Sequence, residues 1–174
     1  MARSPNAVLS LTEWVVLALV AEAPTHGFAI AKELKAESDL GRVMTVHRPL
    51  VYRALDRLAD AGLIEPVTTE PGDGGPQRTV NRATRRGRGA VARWLDSPVE
   101  HVRDLRIEFL VKLRLNERQG RSLDALVTAQ RAALAPAFDG LTTAPADDVV
   151  DRWRHRNALA ARRFLDDLAE GLDS

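Results

Sequence analysis

The chain of 174 residues has no cysteine, a single tyrosine and few aromatic residues, 5% in all. Without cysteine it can form neither a disulfide framework nor a cysteine-based zinc site. The shortage of aromatics beside abundant Ala, Leu, Val and Arg favours helices over a large sheet.

The apolar run Trp14–Ala21 has eight residues, whereas a membrane-spanning helix needs about 20. Ser10 and Glu13 form a capping box before it, which is typical of a folded helix rather than a cleaved signal. We therefore expect a cytoplasmic protein with no membrane partner.

Acidic residues are missing from one segment in particular. Between Gly74 and Trp94 the sequence has six arginines and no Asp or Glu, although the whole chain has a net charge of only +1. Those arginines are Arg78, Arg82, Arg85, Arg86, Arg88 and Arg93. Residues 1–95 carry thirteen Lys and Arg against ten Asp and Glu, and residues 96–174 carry twelve against fourteen. A basic patch is typical of a nucleic-acid-binding surface, but a solvated face explains the charges alone equally well.

Three helices are predicted at the start of the chain. The first, Leu11–Glu22, is apolar on nearly all sides and should be buried on several of them. The second, roughly His26–Ser38, should have Thr25 as its N-cap. Its inner face should carry Phe28, Ile30, Ala31 and Leu34. The third should have Pro49 in its first turn, because proline lacks an N–H that the first turn leaves unpaired anyway, and Gly62 should end it.

A β-hairpin and a fourth helix are predicted next. Strands Leu63–Thr69 and Gln77–Ala83 flank the turn-forming segment Glu70–Pro76. Thr84 can cap a helix that ends near Pro98. Three helices, a hairpin and a helix are the order of a winged helix-turn-helix. In that fold the third helix enters the major groove of DNA, and the hairpin, or wing, reaches the backbone or the minor groove.

The remaining residues predict a helical region. Its helices should span roughly Arg103–Leu115, Gly120–Phe138 and Ala146–Leu172. Pro136 should kink or end the second of these. The predicted fold is therefore mainly α, with an N-terminal winged helix-turn-helix domain at residues 1–97 followed by an all-helical dimerisation region at residues 98–174.

The last helix has apolar positions that recur every three or four residues, as in helices that pair with one another. These positions are Val150, Trp153, Ala160, Phe164 and Leu168. Asn157 lies on the same stripe. It is either buried, where it would fix the register of a helix pair, or partly exposed.

Several short segments of the winged domain occur in an order and at a spacing that resemble one family, the PadR family of bacterial transcriptional regulators. They are His26–Phe28, Leu50–Leu55, Leu58–Ile64, Gly75–Arg78, Thr84–Arg88 and Trp94–Leu95. Ile107–Leu113 resembles the start of the helical region in the family's long-tailed subgroup. The resemblance implies a DNA-binding homodimer that pairs through this region and the first helix, and it favours repression over activation. Asn81 stands where the family usually has an aromatic, and Ala83 where it has a larger apolar residue, so the exact wing contacts stay open.

The outer face of the third helix supplies the main candidates for contact with double-stranded DNA. Arg48 and Tyr52 are neighbours four residues apart, and the resemblance implies that Tyr52 lies at the DNA surface; the alternative is a half-buried Tyr52 that packs against the protein. Arg53 and Arg57 could reach guanine edges or phosphates, or could instead pair with nearby aspartates on a solvated face.

The wing and the second helix supply further candidates. Arg78 should reach a phosphate or the minor groove, with Arg82 on the same strand face. Lys32 and Lys35 are candidates for contact with the DNA backbone. The fourth helix begins with Arg85, Arg86 and Arg88, and these side chains point in different directions around the helix, so they cannot all face DNA.

Two binding roles other than DNA recognition can be considered. Trp14, Trp94 and Trp153 could line a dimer-interface pocket for a small aromatic effector, as some relatives bind such compounds, or could simply be core or interface residues. The four histidines show no paired metal spacing, and we expect His26 to set the turn between the first two helices.

No enzymatic activity is expected. The sequence contains no P-loop, because no Gly-Lys-Ser/Thr follows its glycines, and no nucleophile with a plausible base. We accordingly expect no metal and no cofactor. The functions left open are a dimeric, sequence-specific DNA-binding regulator, a winged-helix protein-interaction module, and an architectural DNA-binding protein without an effector.

Overall fold

A computed structural model describes residues 9–72, 75–143 and 148–172. The predicted turn residues Asp73 and Gly74 and the predicted helix start at Ala146 lie outside these ranges. The chain divides into two compact units, Met1–Trp94 and Leu95–Ser174. Its elements are α1 (Leu11–Glu22), β1 (Thr25–His26), α2 (Gly27–Glu33), α3 (Arg48–Asp60), β2 (Ile64–Gly72), β3 (Gly75–Ala83), α4 (Arg85–Asp96), a 3₁₀ helix (Val102–Arg106), α5 (Glu108–Arg118), α6 (Asp124–Thr143) and α7 (Val149–Leu172).

The helix α1 begins at the predicted capping box and is the centre of the first unit. The Ser10 hydroxyl accepts a hydrogen bond from the Glu13 N–H at 3.3 Å, and the Glu13 carboxylate accepts one from the Ser10 N–H at 2.7 Å. Every residue from Val15 to Val20 is buried. The prediction that this helix is covered on several sides is confirmed.

A small sheet completes the first unit, with strand order β1-β3-β2 and antiparallel pairing. The hairpin β2–β3 was predicted and is confirmed. The two-residue strand β1 was not predicted, and it makes the assignment of Thr25 as an N-cap wrong. Thr25 pairs with Asn81 in the sheet, and the N-cap of α2 is His26, whose Nδ1 accepts a hydrogen bond from the Ala29 N–H at 3.1 Å.

The helix α2 is shorter than predicted and presents a different face to the core. It ends at Glu33 rather than Ser38, because the Ser38 hydroxyl donates to the carbonyls of Glu33 and Lys35 and so competes with helical hydrogen bonding. Phe28 was assigned to the inner face, and this is wrong, since its side chain is 44% exposed while Ile30 is buried. Residues two apart on a helix lie about 200° apart around its axis, so they cannot share a face.

The two other helices of the winged domain follow their predicted signals. Pro49 lies in the first turn of α3, and Gly62 follows its end with a φ of +66°, a conformation that suits glycine. The Thr84 hydroxyl accepts a hydrogen bond from the Gly87 N–H at 3.0 Å, which confirms it as a cap of α4. A Cβ atom on Gly87 would lie 2.1 Å from the Leu63 carbonyl oxygen, so the close approach of α4 to this segment requires glycine.

All the regular elements in the described residues of the second unit are helices, as predicted, but the boundaries of these helices differ from the predicted ones. The predicted helix at Arg103–Leu115 is a 3₁₀ turn followed by α5. Pro136 does not end α6, which continues to Thr143. Leu134 and Phe138 on either side of Pro136 are both buried in the core, and their packing holds the helix together across the missing hydrogen bond.

The helix α7 packs against α6 through a face that was not the predicted one. Its buried residues are Ala158 and Leu165. The predicted apolar stripe lies on an adjacent face, about 100° further round the helix, where it is exposed except at Leu168, which is partly buried. Asn157, which belongs to the same stripe, is also exposed in the isolated chain.

Candidate nucleic-acid interface

A cleft of about 570 Å³ lies beside the outer face of α3. The first turn of α2, the first three turns of α3 and the strand β3 contribute its walls. It therefore lies where a winged helix-turn-helix joins its recognition helix to its wing.

Two arginines and two aromatic rings meet at this cleft. The Cζ atom of Arg48 lies 5.6 Å from the centre of the Phe28 ring and 5.5 Å from the centre of the Tyr52 ring. The Cζ atom of Arg78 lies 4.7 Å from the centre of the Phe28 ring. All three distances are within the 6 Å range of a cation–π interaction. We call Phe28, Arg48, Tyr52 and Arg78 the arginine–aromatic cluster.

The Tyr52 side chain packs against the protein along one edge and is partly exposed, which is compatible with either of the two alternatives that the sequence left open. It is 39% exposed. One edge of its ring packs on the start of α2, where a Cβ atom on Gly27 would lie only 2.9 Å from Tyr52 Cε1. The contact with Gly27 orients the ring and leaves the rest of it accessible. Contact of Tyr52 with DNA remains a prediction.

The remaining arginines of α3 differ in their surroundings. Arg57 pairs with neither of the nearby aspartates; its Nε lies 2.9 Å from Glu13 Oε1 on α1, and the Glu13 side chain is 4% exposed. Arg53 is exposed, and over the described ranges it forms no ion pair. Of these two, Arg53 is therefore the one whose charge is available to a ligand.

The two wing arginines have different partners. Arg82 Nε lies 2.8 Å from Oε1 of Glu65, its cross-strand neighbour, whereas Arg78 belongs to the cluster. Val80 and Asn81 are both buried, so the alternation of β3 is interrupted between the two arginines. The register of the opposite strand β2 shifts at the same place, between Pro66 and Thr68, which pair with Asn81 and Val80.

Part of the basic segment has a structural role that the charge count could not reveal. Arg86 donates to the carbonyl oxygen of Ala61 at the end of α3, and Arg88 donates to that of Ala83 at the end of β3. Lys32 and Lys35 are exposed, and their contact with the DNA backbone stays a prediction.

Two of the three tryptophans stack on each other, and the third is exposed. The rings of Trp14 and Trp94 are stacked with centroids 5.4 Å apart and planes 2° apart, and Trp94 is buried. These two rings cover each other, as core residues do. Trp153 is 68% exposed on α7. Binding of an effector by the three tryptophans remains a prediction.

Phe28 is the residue of this site that the sequence reasoning missed. Its only signal was a mismatch of spacing, because it stands two residues before Ile30 and so cannot lie on the buried face of α2. His26 sets the turn before α2, as predicted. Among the residues that the structure describes, no group of three or more side chains could hold a metal ion.

The segment that carries this site matches a known family. Residues 16–93 match the model described as "Transcriptional regulator PadR-like family". The chain carries a PadR-like domain. All four residues of the arginine–aromatic cluster lie inside the PadR-like domain, as do Lys32, Arg53, Arg57 and Arg82.

Comparison with curated protein sequences finds no significant match. Three solved structures are similar over most of the chain. Bacillus subtilis PadR in complex with operator DNA is 18% identical, covering 92% of this chain and 95% of that one, with a TM-score of 0.47. Bacillus subtilis PadR in complex with p-coumaric acid is 17% identical, covering 95% and 100%, with a TM-score of 0.45. The protein smu.1604c from Streptococcus mutans UA159 is 15% identical, covering 89% and 96%, with a TM-score of 0.44. Because these TM-scores are below 0.5, the three structures support no assignment of contact residues.

Residues 16–93 thus have the fold of a PadR-like transcriptional regulator, and their helices and hairpin follow the order of a winged helix-turn-helix. Within the described ranges, no helix is both long enough and apolar enough to cross a membrane.

Proposed function

We propose that the chain is a homodimeric, sequence-specific DNA-binding repressor of the PadR type. It acts in the cytoplasm, has no catalytic activity, and releases DNA when a small aromatic effector binds. The observation that carries the DNA-binding role is the arginine–aromatic cluster, which joins the outer face of α3 to the wing and is accessible to solvent.

The cluster has the chemistry that DNA binding needs. Arg48 lies in the first turn of α3, and in helix-turn-helix proteins the first residues of the recognition helix contact base edges. Arg53 lies farther along the same helix. Arg48 is exposed and has no carboxylate partner among the side chains that the structure describes, so it can take phosphate as a counterion.

The exposed stripe of α7 supports the homodimer. Val150, Trp153 and Phe164 are exposed on a face of the helix next to the one that carries Ala158 and Leu165, which pack in the core. A 24-residue helix is about 36 Å long, so a second copy could cover apolar surface along several turns. Two-fold symmetry of the protein would require a palindromic operator.

The effector part of the proposal rests on the family resemblance and on the tryptophans. A ligand that binds one conformation of the dimer better than the other shifts the population toward it. In the DNA-free conformation the two recognition helices would no longer match half-sites one turn of DNA apart, about 34–36 Å. Since Trp14 and Trp94 cover each other, a planar ligand would bind beside this pair rather than between its rings.

Equilibrium binding tests the proposal. Fluorescence anisotropy at about 0.15 M salt should compare the DNA upstream of the protein's own gene with a scrambled duplex of the same composition. We expect the upstream DNA to bind at least about a thousandfold tighter. Arg48→Ala should weaken that binding, and Arg103→Ala should serve as the charge-matched control, since Arg103 is exposed and lies in the second unit.

Two outcomes would contradict the proposal. If the protein binds the upstream DNA, the scrambled duplex and every other candidate operator equally tightly, it is an architectural DNA-binding protein. No binding to any duplex by a folded protein would favour a protein-interaction module. Sedimentation of the free protein should separately give the mass of two chains.

A further inference from the structure

The Phe28 ring is shared by two arginines that come from different elements. Arg48 belongs to α3, the recognition helix of the fold, and Arg78 belongs to β3 in the wing. Their Cζ atoms lie 5.6 and 4.7 Å from the ring centre. The ring is thus the point at which the two candidate DNA-contacting elements meet.

The burial of Phe28 argues against a purely structural role. Its side chain is 44% exposed, whereas Ile30 and Leu34 of the same segment are buried and supply the core contacts. An exposed phenylalanine adds little to the core, because much of its apolar surface stays in water. A function at the surface accounts better for its position.

The local backbone holds the ring in place. His26 caps α2 by accepting a hydrogen bond from the Ala29 N–H, which fixes the turn that carries Phe28. Gly27 packs against the Tyr52 ring, so this turn is pressed onto α3. A phenylalanine has only two side-chain torsions, and a ring on such a turn is therefore a firm support for longer and more mobile side chains.

The two arginines need such a support. Arginine side chains are flexible, and two guanidinium groups near one another repel. The electron-rich face of an aromatic ring attracts both. The ring therefore favours conformations in which both charges stay near the cleft, ready for phosphates or base edges of one duplex.

We propose that Phe28 is a positioning residue for DNA binding, which holds Arg48 of the recognition helix and Arg78 of the wing in one arrangement and so couples the two elements. This inference rests on the proposed function. It assigns to Phe28 no contact of its own with DNA. It predicts that the two arginines depend on the ring for their full contribution to affinity.

The experiment compares Phe28→Leu with Phe28→Tyr. Leucine keeps an apolar side chain but removes the aromatic face, whereas tyrosine keeps the face. Without the ring, DNA binding must itself order the two arginine side chains, and the cost of ordering two such side chains corresponds to a loss of about fivefold to a hundredfold in operator affinity. We expect that loss for Phe28→Leu and less than about a twofold change for Phe28→Tyr, and both variants should be fully folded by circular dichroism at the temperature of the titration.

Two further readouts separate positioning from a structural role. Arg48→Ala and Arg78→Ala should each weaken binding less in the Phe28→Leu background than in the natural one. The slope of log affinity against log salt should become shallower in Phe28→Leu, although no charge is removed, because each lost phosphate contact reduces it by about 0.9.

A DNA-free measurement keeps this proposal separate from the proposed function. In the free protein, the Cδ protons of Arg78 should show upfield ring-current shifts by NMR that disappear in Phe28→Leu, and those of Arg48, which also lies over the Tyr52 ring, should show shifts that become smaller. Absence of these shifts would overturn the proposal whatever the protein binds. Wild-type affinity of Phe28→Leu, or equal loss in Phe28→Tyr, would also overturn it. If shifts are present but the natural protein binds no DNA, the proposed function fails first and the positioning role falls with it.

Discussion

The guanidinium of Arg57 on α3 is held 2.9 Å from the nearly buried carboxylate of Glu13 on α1. The other oxygen of the same carboxylate accepts the Ser10 N–H at 2.7 Å. One side chain thus closes the first turn of the buried helix and fastens the recognition helix to it. Arg57 is 59% exposed at its side chain, so the ion pair itself is partly screened by water.

Replacement of Glu13 should destabilise the first unit. Glu13→Ala removes both the capping-box hydrogen bond and the partner of Arg57, and we expect a loss of about 1–3 kcal/mol in the free energy of unfolding. Glu13→Gln should lose less, because an amide oxygen can still accept the Ser10 N–H. Urea unfolding followed by circular dichroism measures both. Equal stability of Glu13→Ala and the natural protein would show that the carboxylate does not join the two helices.

The arginines of the basic segment should differ in their effect on DNA binding. Arg78→Ala should weaken operator binding about tenfold and make the salt slope shallower by about one unit, as expected for one lost phosphate contact. Arg82→Ala should weaken binding less, because Arg82 must first leave Glu65 to reach DNA. Anisotropy titrations between about 0.05 and 0.2 M salt measure both quantities. A larger loss for Arg82→Ala than for Arg78→Ala would reverse this order of the wing arginines.

Tyr52 should be required for specific binding but not for folding. Tyr52→Ala is expected to abolish the preference for the operator while the dimer stays folded, because the ring lies beside Arg48 at the cleft.

Gly27→Ala tests the position of the Tyr52 ring indirectly, since the new Cβ atom would meet Tyr52 Cε1 at 2.9 Å and push the ring aside. We expect Gly27→Ala to reduce affinity about tenfold, the scale of a lost contact of about 1.4 kcal/mol. The assignment of Tyr52 is wrong if Tyr52→Ala binds the operator normally.

The order of elements in the winged domain could be predicted because each boundary has a local signal. The capping box at Ser10, Pro49, Gly62 and Thr84 all act within one turn of their own position. The strand β1 has no such signal. Its two residues form a strand only because the distant β3 pairs with them, and no local pattern reports a pairing over that distance.

The candidate site could be predicted only in part for a similar reason. Helical spacing placed Arg48 and Tyr52 on one face of α3. The contact between Arg78 and Phe28 depends on how the wing folds back toward α2, which is a tertiary relationship. The sequence revealed the apolar stripe of α7. It did not reveal that a different face of this helix, with Ala158 and Leu165, packs in the core of the second unit.

The exposed stripe of α7 leads to a prediction about assembly. Trp153→Asp combined with Phe164→Asp should convert the dimer to a monomer, because each substitution places a charge at the centre of an apolar interface. Leu159→Asp is the matched control, since Leu159 is exposed on another side of the same helix. Analytical ultracentrifugation gives the mass, and circular dichroism shows whether the helices remain. A monomeric variant should also lose most of its affinity for a full operator, because a single winged domain can occupy only one half-site. Dimers of unchanged stability in the double variant would place the interface elsewhere on the chain.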